Sequence, residues 1–191
     1  RKPYGLGFIV NLPFKIKTAV CTVLVLLLFW AEQSKSFDTD RTDKIVNNEY
    51  GQKGSVYLYF TNMDNSFLYS EQRTFPGHLT ALSLGGKIIN ALIEGPKKEL
   101  VHTMPSGTTL QAFFLTEKGV AVVDLSSDIK DRHPGGVQAE KITIYSIVNT
   151  LILNIPEINA VKILIGGRES DTLAGHIDIR YPFKADMLLI R

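Results

Sequence analysis

At 191 residues the chain has room for one ordinary domain plus an appendage. An apolar fraction of 45% with 21% charged residues excludes a disordered chain, and a net charge of +2 supplies no basic face for nucleic acid. The single cysteine, Cys21, excludes an intrachain disulfide and a multi-cysteine zinc site; inside an apolar run it reads as a small hydrophobe.

Residues 1–31 stand apart from the globular part. Arg1, Lys2, Lys15 and Lys17 precede the first acidic residue, Glu32, and the apolar run 18–31 comes after them. A basic flank ahead of an apolar run directs the remainder of the chain across the membrane. The uninterrupted run is shorter than the roughly 20 residues of a spanning helix, but counting from Phe14, with Lys15 and Lys17 snorkelling, makes it long enough. It reads as an uncleaved anchor. Cleavage after Ser36, behind the small residues Ser34-Lys35-Ser36, is the alternative, and a buried core helix the third reading. Residues 32–54 are polar and read as a flexible stalk, in which Asp38-Thr39-Asp40 beside Arg41 is a solvated charge cluster, not a metal site.

The domain is expected over residues 55–191. Residues 55–61 form a strand by composition, residues 67–75 a second extended segment, and residues 79–94 a helix with a stripe of Leu84, Ile88, Ile89, Leu92 and Ile93 ended by Gly95-Pro96. Gly85-Gly86 weakens that helix, and a close approach of its backbone to the sheet would explain the pair. Residues 109–116 and 120–126 flank Glu117-Lys118-Gly119 as a hairpin. Residues 137–154 then place Ala139, Ile142, Tyr145, Val148, Ile152 and Ile155 on one face, widened by Ile144, Ile147 and Leu151, so this helix is mostly buried. Residues 161–165 are a core strand, and Ile177, Ile179 and Tyr181 alternate as one more strand within 172–191. The fold class is α+β, a β-α-β-β-α-β core with two helices on one face of a mainly antiparallel sheet.

Catalysis finds no positive support. There is no G-x-S-x-G and no H-E-x-x-H; Ser127, Asp131 and His133 could form a hydrolase trio only by sequence proximity, and turn capping accounts for them better. Gly166-Gly167-Arg168-Glu169-Ser170 follows a strand but lacks the G-K-[ST] of a phosphate loop. No catalytic, metal-binding or cofactor-binding residue is assigned. Candidate interaction or anion contacts are Arg73, His133, Gly135, Gly136, Arg168 and His176, the turn at 133–136 being aimed at a helix N-terminus.

These residues resemble the GerM (GerMN) sporulation and spore germination domain family. The resemblance covers about residues 55–191 and rests on Val56-Tyr57-Leu58-Tyr59-Phe60, Leu92-Ile93-Glu94-Gly95-Pro96, Pro105-Ser106-Gly107-Thr108 and Val123-Asp124-Leu125-Ser126. It continues through His133-Pro134-Gly135-Gly136, Tyr145-Ser146-Ile147-Val148-Asn149, Val161-Lys162-Ile163-Leu164-Ile165-Gly166-Gly167, Thr172-Leu173-Ala174-Gly175-His176 and Pro182-Phe183. It implies an extracytoplasmic module similar to ring-building motifs, without catalytic residues or cofactor. This chain departs from the family in having one domain copy, no appended partner domain and no lipoprotein cysteine, which leaves the N-terminal segment, residues 14–31, as the tether to the cytoplasmic membrane. The expected partner is another envelope protein or a second copy; the alternative is peptidoglycan, contacted through Tyr59, Tyr69, Arg73 and Arg168.

Overall fold

The computed structural model describes residues 54–191, so the anchor and nearly all of the stalk expected before them lie outside the described residues. The elements run β1 (Gly54–Thr61), β2 (Leu68–Phe75), α1 (Ala81–Glu94), β3 (Leu110–Leu115), β4 (Val120–Leu125), the single turn α2 (Asp128–Asp131), α3 (Val137–Asn154) and β5 (Ala160–Ile165), with a 3-10 turn at Met187–Leu189. Among the described residues no helix is long and apolar enough to cross a membrane.

The α+β class holds, but the sheet differs from the expected one. There are two sheets: β1 pairs antiparallel with β2, and β3-β4-β5 form a separate mixed sheet in which β4 and β5 run parallel. The parallel pair arises from its connection, because α3 carries the chain back along its own length and only a crossover of that kind joins parallel neighbours. The segment after β1, outside the expected β-α-β-β-α-β order, is a full strand.

Both sheets and both long helices bury one core. Val56, Leu58 and Phe60 of β1 meet Ile88 and Leu92 of α1, Val123 of β4, Ile144, Ile147 and Leu151 of α3, and Ile163 of β5. A smaller cluster joins Leu68, Ile142 and Leu189 on the other side of β1–β2.

Helix α3 is buried on its polar side as well. Asn154 donates to the Tyr57 carbonyl at 2.8 Å and accepts from its N–H at 2.9 Å. One turn up, Thr150 accepts from the Tyr59 N–H at 3.1 Å, and Ser146 donates to the Tyr59 carbonyl at 2.6 Å. Three side chains spaced four apart thus bind the outer edge of β1 as a neighbouring strand would, and Thr61 closes the row by exchanging backbone bonds with Val101.

Helix α1 starts at Thr80, whose hydroxyl accepts from the Ser83 N–H, and ends at Gly95 with φ +91°. Its internal glycine pair is only half explained by close packing. A Cβ on Gly85 would lie 2.2 Å from the Phe113 ring of β3, whereas one on Gly86 would meet nothing within 4 Å. Gly85→Ala is therefore expected to destabilise by about 1–3 kcal/mol through overpacking, and Gly86→Ala to stabilise by about 1 kcal/mol through helix propensity. Urea midpoints of the two variants should move in opposite directions, and a shared sign would overturn the assignment.

The C-terminal stretch is not the strand that its alternation suggests. Residues 172–191 make only isolated bridges, Thr172 with Asp178, Phe183 with Val161 and Ile190 with Leu68. Ile179 is buried, but Tyr181 is 70% exposed and Pro182 has no N–H to continue a ladder. Side chains hold the tail instead. Asn149 donates to the Asp186 carbonyl and accepts from its N–H, and the Lys162 ammonium donates to the Arg180 carbonyl.

Candidate functional site

The candidate residues group around the N-terminus of α3. His133 to Gly136 form the turn that feeds it, with φ +78° at Gly135 and +89° at Gly136, where a Cβ would be strained although it would meet no neighbour within 4 Å. The glycines are required by the turn's backbone and not by a close approach. The turn is locked from inside. The Gly135 N–H donates to His133 Nδ1 at 3.0 Å, which makes Nε2 the protonated nitrogen, and Nε2 donates to Thr143 Oγ1 at 3.0 Å. Thr143 passes the bond on to the Thr103 carbonyl. Burial pushes the His133 imidazole below its ordinary value, against the opposing charge of Glu140, which agrees with a neutral ring. Both ring nitrogens are occupied, so neither serves Ser127 or Asp131, and both of those are exposed.

His133 also forms one wall of a pocket of about 120 Å³, with Asn65, His102, Thr103, Met104 and Pro105 among the other lining residues. Its size suits a few water molecules rather than an organic ligand, since pockets for such ligands run from about 300 Å³ upward.

The anion that the start of α3 favours is supplied by the chain. Glu140, in the first turn, is fully buried. Its carboxylate accepts from the backbone N–H of Ile177 at 2.8 Å and of His176 at 3.1 Å, and from His176 Nδ1 at 2.7 Å. His176 is thus an exposed side chain tied to a buried carboxylate, and the helix dipole is answered without a bound ligand.

Arg73 is the candidate that the fold consumes. Its side chain is 9% exposed, ion-paired to the buried Glu71, and donates through Nη2 to the Gly95 carbonyl at 2.8 Å. Glu71 in turn accepts from the Lys97 and Lys98 N–H groups at 2.9 Å each, so the pair pins the chain that leaves α1. Arg168 is exposed at the tip of the turn after β5, where Ile165 and Arg168 exchange backbone bonds, and the Gly167 N–H donates to Asp124 at 2.9 Å. His133, Gly135, Gly136 and, through Glu140, His176 are brought to one end of α3; Arg73 and Arg168 have no part in that network. Among the described residues no cluster of His, Cys, Asp and Glu could hold a metal ion.

Sequence reasoning missed Glu140 and Glu71. Each left a signal. Glu140 falls on the stripe of Ile144, Ile147 and Leu151, where a charge is out of place unless it is bonded. Glu71 and Arg73 are opposite charges two apart on a strand, hence on one face.

Solved structures share this fold. A protein from Clostridium perfringens described as a candidate lipoprotein is 29% identical, with 72% of this chain and 91% of that chain covered and a TM-score of 0.52. The first GerMN domain of the sporulation protein GerM from Bacillus subtilis is 18% identical, covering 71% of this chain and 98% of its own, with a TM-score of 0.55. The tandem GerMN domains of the same protein are 19% identical with a TM-score of 0.54, and the match spans 46% of their length. These last two likenesses establish the fold. A search of the curated proteins finds no match. The family model named Germane, sporulation and spore germination, matches residues 57–171, over half of the sequence, and the chain belongs to that family.

Proposed function

We propose that residues 55–191 form a non-catalytic interaction domain of the bacterial cell envelope. In this reading residues 14–31 tether the domain, residues 32–54 act as its stalk, and it works on the outer side of the cytoplasmic membrane. Its partner is an envelope protein or a second copy of the chain. Membership of the Germane family over residues 57–171 carries this reading. The relative from Clostridium perfringens, described as a candidate lipoprotein, supports an envelope location. The fate of the reactive side chains supports a role without catalysis: His133, Glu140, Glu71 and Arg73 are each bonded into the fold. The peptidoglycan reading loses ground, because of Tyr59, Tyr69, Arg73 and Arg168 only Arg168 is exposed.

The test is fractionation and in-cell crosslinking of the tagged full-length chain, with mass spectrometry of the captured species. Recovery in the membrane fraction with a discrete envelope protein or a self-crosslink is the expected result. A chain found free in the cytoplasm would overturn the location, and capture of cell-wall fragments alone would favour the alternative.

A further inference from the structure

We draw no further inference here: the strongest candidate, the pocket of about 120 Å³ lined by the turn at His133, the first turns of α3 and residues 102–105, belongs to the site already described, and its buried polar side chains, Thr103 and Thr143, are already bonded within the fold.

Discussion

Glu140→Gln is expected to destabilise the domain by about 3 kcal/mol and to free residues 172–179 first. The carboxylate is fully buried, and the groups that reach it are donors: the N–H groups of His176 and Ile177 and the His176 ring. A glutamine puts its own NH2 where an acceptor is needed, so at least one buried N–H loses its partner and the charge-assisted bonds weaken. Hydrogen exchange should speed up at His176 and Ile177 before it changes in the core strands.

The same site sets an acid limit. Burial alone would push the Glu140 carboxyl up, but the bonds from Ile177, His176 and Ala174 outweigh it and hold the group below its ordinary value. Glu71 is depressed in the same way: burial opposes, while the Arg73 bond and the Lys97 and Lys98 amides prevail. A carboxyl whose folded value is lowered contributes stability above its unfolded value of about 4.3, and that contribution is lost as pH falls through the lower folded value. Stability should therefore hold from neutral pH down to about pH 4.5 and fall below it, with Glu140→Gln less sensitive than the parent chain. Urea midpoints measured across that range decide it; equal slopes for the two proteins would remove Glu140 as a cause.

The elements were legible in the sequence because each has one simple signal. The 3.6 period of α3, the β-branched run of β5 and the glycine turn at Gly119 all fix local structure. What sequence reasoning lost was the role of polar side chains. Ser146, Thr150 and Asn154 recur every four residues, a pattern ordinarily read as a solvated helix face. They cover the edge of β1 away from β2 instead, so that no further strand pairs there and the sheet divides in two. The tail failed for a related reason. Its alternation of Ile177, Ile179 and Tyr181 imitates a strand, while Glu140, Asn149 and Lys162, remote in sequence, hold its backbone through side chains that no local pattern reveals. The candidate site was legible as a turn before a helix, and the histidine's engagement with Thr143 was not.

The second large effect is expected at Glu71. Glu71→Leu should cost about 3–5 kcal/mol, because it leaves the Arg73 guanidinium, 9% exposed, without its counter-charge. Replacing both partners by apolar residues often restores stability in a buried pair. Here the restoration should be incomplete. Glu71 also accepts the Lys97 and Lys98 N–H groups, and Arg73 also donates to the Gly95 carbonyl, so Glu71→Leu/Arg73→Leu still strands backbone groups at the end of α1. The double variant is expected to lie about 2 kcal/mol below the parent, above Glu71→Leu alone.

A double-mutant cycle by urea unfolding measures this. A double variant as stable as the parent would mean that the bonds to residues 95–98 contribute nothing and that the pair is mere filler. A double variant less stable than Glu71→Leu would mean that Arg73 does more for the Gly95 carbonyl than for Glu71.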